Sequence, residues 1–435
     1  MRKLKAGIAS VMLAASTVSA GDLNTEIAKD YAYLDALYQH FHSNPEISFQ
    51  EKNTSARIAT ELRQIGYEVT ERVGGYGVVA VLENGDGPTV MVRTDLDALP
   101  VKEQTGVTFA STATATNDKG TVVPTMHACG HDVHMTALVG TARRLAAMQD
   151  QWQGTLVLIG QPAEERVGGA KAMLADGLFE RFPRPDYNLA LHVSSTLAAG
   201  DLGLTAGYAF ANVDSVDIAV KGIGGHGAYP HTTKDPVLLA SQIVVALQTL
   251  VSRETSPLES AVVTVGSFHA GTKHNIISDG AHLQLTVRSY SDDVRQNLLK
   301  GIKRVAEAQA ASYGLPKEMW PEVSYSEGTP ATYNDPALTE RIQGVFTKTF
   351  GADHVFSLGP VMGAEDFSYF GLTDPKIPSL MFRLGAVERE EVAAAARGEK
   401  RLASLHSPFF VPDREDTLKK GVAAMTTAVL DLLAK

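Results

Sequence analysis

Two short stretches restrict the fold more than anything else in the chain: GTLVLIG at residues 154–160 and YNLALHV at 187–193 are almost unbroken apolar runs. A strand with one wet face alternates apolar and polar residues. An unbroken run has to be covered on both faces. SLMFRLG at 379–385 is of the same type, and GVVAVLE (77–83) and PTVMVRTD (88–95), joined by the turn NGDG, are two further strands. Residues 134–149 carry apolar side chains at helical spacing, and most of 23–64 does the same around a turn at Asn44-Pro45. Strands alternating with helices predict an α/β layer with a largely parallel sheet.

The pattern changes at Asn212. SVDIAVKG alternates with period two, Asp235-Pro236 caps and opens a helix over 237–253, AVVTVGSF and AHLQLTVRSY are strands, and 292–312 reads as a second helix. A strand at 323–326 completes a β-α-β-β-α-β order, which predicts a smaller α+β domain. At 435 residues the chain is too long for one ordinary core. The expected layout is a discontinuous α/β domain, 21–211 and 329–435, interrupted by an inserted domain over 212–328. Residues 111–125 read as a Thr/Ala-rich surface loop; 111–116 and EEVAAAARGEK, 390–400, are of low complexity.

The 39 basic and 49 acidic residues leave a net charge of −10, with no Lys/Arg-rich run to offset it. Nucleic acid and anionic membranes are therefore not expected partners. The start, MRKLKAGIASVMLAASTVSAGD, has three cations, an apolar stretch and small residues at Val18-Ser19-Ala20. It predicts a secretory signal over 1–20 and a secreted or periplasmic mature chain. In an oxidising compartment the single cysteine, Cys129, has no disulfide partner within the chain.

That cysteine lies in MHACGHDVH, among histidines. In extended chain, Cys129 and His131 would point the same way and reach one centre, just before a helix whose N-terminus favours a thiolate. C-x-H alone is a weak signal, equally compatible with a small buried Cys. GQPAEERVGGA follows a buried strand, the place where sites gather in open α/β sheets. An adjacent Glu pair is ordinarily a solvated turn. Here Pro162 and Gly168-Gly169 constrain it, so that one carboxylate could ligate a metal while the other handles a proton. His192 ends the strand YNLALHV, and His406 lies in SLHSPFF. Together these residues offer a thiolate, a carboxylate and three imidazoles, a donor set suited to zinc or a similar divalent ion. Spacing alone leads to a metallohydrolase as one possibility and does not show convergence.

RTDLDALP, MHACGHDVH, GQPAEE, LHV, GIGGHGAYPH, HNIIS and AEDFSYF occur in this order between 93 and 370, within a resemblance that covers about 44–410. The series resembles the hippurate and indole-acetyl-amino-acid amidohydrolase branch of the aminoacylase/carboxypeptidase metallopeptidases. The resemblance implies a two-metal α/β catalytic domain with an inserted α+β lid that pairs with a second subunit. It implies two divalent ions (zinc, manganese or cobalt) held by Cys129, His131, Glu165, His192 and His406, with Cys129 bridging. Glu164 would be the general base that takes a proton from the attacking water and delivers it to the leaving amine. Asp95 would orient a ligand, although an Asp merely closing a strand, like Asp97, is an ordinary alternative. His226 would reach the partner's site to stabilise the tetrahedral oxyanion, and Asn275 would bind the substrate's carbonyl or carboxylate. Arg288 would bind the carboxylate or form a surface salt bridge, and Glu365-Asp366 would support the site. The two segments 111–124 and 388–400 depart from the family pattern, so substrate preference is not inherited with it.

The implied activity is hydrolysis of N-acyl amino acids or short peptides by a homodimer. A dedicated carboxypeptidase or N-acetyl-diaminopimelate deacetylase is the nearest alternative, and a non-catalytic periplasmic metal-binding protein a more distant one. An α/β-hydrolase esterase would need a G-x-S-x-G elbow, and the sequence has none.

Overall fold

The unbroken apolar strands take the middle of an eight-stranded sheet. In the computed structural model, which describes residues 20–435, the strand order is Glu68–Val73, Gly77–Asn84, Gly154–Gln161, Thr89–Asp95, Tyr187–Ala198, Ser379–Val387, Leu202–Leu204, Val355–Ser357. The four strands from Gly154–Gln161 to Ser379–Val387 run parallel. The physical reason for their sequence is visible in the packing. Leu156, Leu158, Val90, Val92, Leu380 and Phe382 enter one core, beneath the helices Ala20–Ser43, His131–Ala147 and Arg414–Leu432. The residues between them, Val157, Ile159, Met91 and Met381, enter a second core on the opposite face with Met173, Phe367 and Phe370. The leader expected over 1–20 lies almost wholly outside the described residues.

The inserted unit is a four-stranded antiparallel sheet, in the order Ala261–Ala270, Gly280–Ser289, Asn212–Lys221, Glu322–Thr329. Val216, Ile218 and Val220 alternate inward, as period two requires, onto the helices Pro236–Thr249 and Asp292–Ser312. Asp235 caps the first helix, accepting from the Val237 N–H at 2.9 Å, with Pro236 at its first turn.

Three local expectations change. The two strands joined by NGDG do not pair, because Gly154–Gln161 lies between them, antiparallel to one and parallel to the other. Residues 111–125 are not all loop: Thr114–Thr116 pairs with Val122–Pro124. The segment 388–400 contains a helix, Arg389–Ala396, with Arg389 paired to the buried Asp201.

Candidate metal centre

Chain order brings the chemistry to one end of the parallel strands. Thr89–Asp95 ends on an acid, and Gly154–Gln161 runs directly into a short 3-10 turn at Glu164–Arg166. His192 lies within Tyr187–Ala198. Cys129 and His131 are not in extended chain as the sequence suggested. Gly130, at φ 77°, makes a left-handed turn, and the helix begins at His131 itself rather than at His134. The turn needs glycine twice over: the backbone is left-handed, and a Cβ there would sit 2.6 Å from the Val193 Cγ2.

The hydrogen bonds sort the histidines. His131 donates Nδ1–H to the Asp97 carbonyl at 2.7 Å, and His192 donates Nδ1–H to the Val193 carbonyl at 2.8 Å. Each bond leaves Nε2 as the nitrogen available to a metal, once the His131 ring has given up the extra proton that its neighbouring acids favour. The Nε2 of His192 is 3.6 Å from the Cys129 Sγ. The Nε2 of His131 is 3.9 Å from both a Glu164 oxygen and a Glu165 oxygen. The Nε2 of His406 is 3.6 Å from Glu165. His134 is different. Its Nδ1 bonds Asp95 at 2.7 Å and its Nε2 accepts from the Val193 N–H at 2.9 Å, so both nitrogens are used within the protein.

Two triads of donor atoms, each within 4.8 Å, have the thiol in common: Cys129 with His131 and His192, and Cys129 with Glu165 and His406. A shared donor is the position a bridging ligand requires. Glu164 falls outside both triads but within 4.8 Å of His131 and Glu165. Its other neighbours are Glu365 and Asp366, which are held by the buried Arg93 at 2.8 and 3.3 Å. Arg93 also holds Asp95 at 2.8 Å. The Asp97 carboxylate accepts from the backbone N–H groups of Glu164 and Glu165 at 3.1 and 3.0 Å, which aims both side chains.

The electrostatics have the signature of a cation site. Burial, then Glu165 and Glu164, push the Cys129 thiol well above its usual range. Burial, then Glu365 and Glu165, push Glu164 well up, and burial carries Glu165 up to about 8 against the pull of His131. Burial opposes charge on His131, yet Asp95 and Asp97 raise it to about 10. Burial and then His131 lower His406 to about 4, and burial lowers His192. Divalent cations would reverse this crowding of acids. The residues fit such ions: the buried His131 Nε2 and Glu165 Oε1 have no hydrogen-bond partner among the described residues, and the remaining donors are the N, O and S types zinc takes.

The cluster opens into a cavity of about 540 Å³, with Cys129, Glu164, Glu165, His192 and His406 at one end and Arg288 and Arg383 on its wall. All five sequence-predicted ligands and Glu164 therefore converge, with Asp95 buried beside His131 at 3.6 Å. Arg288 forms no salt bridge among the described residues; it donates to the Met362 carbonyl at 2.7 Å. His226 and Asn275 do not join the cluster within this chain. They are exposed and neighbour each other, His226 pairing with Ile276 and the Gly227 N–H donating to the Asn275 carbonyl at 2.9 Å. Sequence reasoning missed the orienting roles of Asp97 and His134 and the cavity position of Arg383. The D-x-D spacing was the only signal for the first.

The sequence profile of the family described as Peptidase family M20/M25/M40 matches residues 91–431. The chain is 35% identical over 409 residues to thermostable carboxypeptidase 2 of Saccharolobus solfataricus, covering 92% of this chain and 96% of that one. It is 37% identical over 355 residues to hippurate hydrolase of Campylobacter jejuni, covering 80% and 88%. Among solved structures it resembles the Bacillus subtilis YxeP protein, a dinuclear metal binding peptidase from the M20 family. The TM-score is 0.71 and the identity 28%, over 95% of this chain and 99% of that one.

Proposed function

This chain belongs to peptidase family M20/M25/M40 and is a metal-dependent hydrolase of amide or peptide bonds; from that premise we propose that it removes acyl groups from N-acyl amino acids. The observation that carries this reading is the pair of triads sharing Cys129, with Glu164 standing just outside them. Cys129, His131, Glu165, His192 and His406 would hold two divalent ions. When bound, these supply Lewis-acid polarisation of the scissile carbonyl and acidify a water. The chain's own residues do the rest. Glu164, buried among other acids, accepts the proton of the attacking water and passes it to the leaving amine. Asp97 holds Glu164 by its backbone N–H. Arg288, with no acid partner among the described residues, takes the substrate's carboxylate. The names of the hippurate and carboxypeptidase relatives support substrates that present a free carboxylate beside the amide.

The reading includes a homodimer formed through the inserted domain, in which His226 of one copy serves the site of the other. Two features support it: His226 and Asn275 are solvent-exposed and apart from their own cluster, and the edge strand Ala261–Ala270 has one side unpaired among the described residues. It also includes export, supported by the composition of residues 1–20.

A hydrolysis panel tests the substrate class: N-acetyl, N-benzoyl and indole-acetyl amino acids against dipeptides, with added metal. Faster turnover of the N-acyl amino acids is expected. Exclusive cleavage of dipeptides would make the chain a carboxypeptidase instead.

A further inference from the structure

The cavity wall carries more positive charge than one substrate carboxylate needs. Arg288 comes from the inserted sheet, on Gly280–Ser289, and Arg383 from the main sheet, on Ser379–Val387 beside His192. Both guanidiniums line the cavity, and both contact the segment 359–363. Arg288 donates to the Met362 carbonyl at 2.7 Å, and Arg383 donates to the Gly359 carbonyl and, at 2.8 Å, to the Thr205 hydroxyl.

Neither arginine has an acidic partner among the described residues. Glu327, the remaining acid of the cavity wall, is engaged by Arg166. The other acids of the cavity, Glu164 and Glu165, belong to the metal end. Both bonds of Arg383 leave through Nη2, so its Nε–H and Nη1–H groups are unused among the described residues. Each is a charged donor able to bind a carboxylate oxygen. Both cations are half-buried, and neutral carbonyls compensate them incompletely. Burial also pushes both groups down from their ordinary values, which marks the cost of their charge. A ligand with two negative groups would relieve that cost.

We infer that Arg383 is a specificity-determining residue that binds a second carboxylate, so that the preferred substrates are N-acyl amino acids carrying two acidic groups. The inference rests on the reading that Arg288 takes the first carboxylate. The second acid could belong to the amino-acid side chain or to the acyl group. Both present the same chemistry to Arg383.

The test is kcat/KM on two isosteric pairs. N-acetylglutamate against N-acetylglutamine varies the side chain, and N-succinylglycine against N-succinamoylglycine varies the acyl end. Wild type, R383Q and R383K are compared at equal metal content. In the wild type the acid member of at least one pair should be favoured roughly tenfold or more, the scale of a charge-assisted hydrogen bond. R383Q should collapse that ratio towards one, and R383K should keep part of it. The pair affected identifies where the second acid sits. Ratios near one for both pairs in the wild type would overturn the inference even if R383Q failed to fold. A preference that survives intact in R383Q would overturn it as well. Turnover of the amide members with no preference would leave the amidohydrolase reading standing alone. No hydrolysis of any of the four would refute both.

Discussion

Glu164 and Glu165 are adjacent, yet their surroundings divide them. Glu165 lies with Cys129 and His406, while Glu164 faces Glu365 and Asp366. Glu164→Gln keeps the shape and cannot accept a proton. Turnover should fall by about 10²–10⁴-fold or more, with metal content near wild type. Glu165→Gln should lose metal affinity first and regain part of its activity in excess metal. Metal stoichiometry and turnover on both variants check this, and the reverse pattern would exchange the two roles. Protonation gives a second prediction. In the metal-free protein His131 is raised to about 10, Glu165 to about 8, and the Cys129 thiol well up. Below those values each holds a proton that a cation must displace. Affinity for zinc should therefore rise with pH between about 6 and 8, by up to roughly tenfold per unit for each proton released. Isothermal titration at several pH values measures it, and a pH-independent Kd would contradict the proton count. At this scale, the donor cluster was legible through the motif series and its family resemblance; spacing alone left Cys129-x-His131 a weak signal and the Glu pair an ordinary turn. Asp97 and Arg383 were not legible. Their partners come from other strands and loops, and no local pattern distinguishes an aiming carboxylate from one that only closes a strand.

At the scale of elements, the site depends on how strands end and helices begin. The apolar runs at 154–160 and 187–193 were readable because burial on both faces leaves no polar alternation. The helix start was misplaced by one turn because its cap is conformational: Gly130 supplies a left-handed residue, with no side-chain cap to be seen in the sequence. Gly130→Ala should cost about 1–3 kcal/mol in stability, since it combines a strained φ with a Cβ 2.6 Å from the Val193 Cγ2. It should also weaken metal binding, because the turn sets Cys129 against His192. Thermal unfolding with and without zinc measures both effects, and a variant equal to wild type in both would show that the turn does not position the ligands. The pairing of Gly77–Asn84 with Gly154–Gln161 was not legible either. A short turn between consecutive strands does not reveal that a third strand enters between them.

In the whole molecule, the inserted sheet contributes Arg288 to the cavity wall, while His226 and Asn275 stay exposed on its surface. The change to period-two alternation at Asn212 announced a separate sheet. What that sheet meets in solution depends on a surface that one chain leaves open. If His226 serves a second copy, mixing His226→Ala chains with Glu164→Gln chains should restore one complete site per heterodimer, up to about half the activity of a wild-type dimer. No recovery after demonstrated subunit exchange would confine His226 to its own subunit or to no role at all. The central claim, that the triads sharing Cys129 hold two catalytic ions, is tested most directly by titrating zinc or manganese into exhaustively demetallated protein while following hydrolysis of an N-acyl amino acid. The account predicts no turnover at the start and a rise that saturates at two ions per chain by mass spectrometry. Full turnover without metal, or saturation with ions bound elsewhere in a Cys129→Ala, His192→Ala variant, would contradict it.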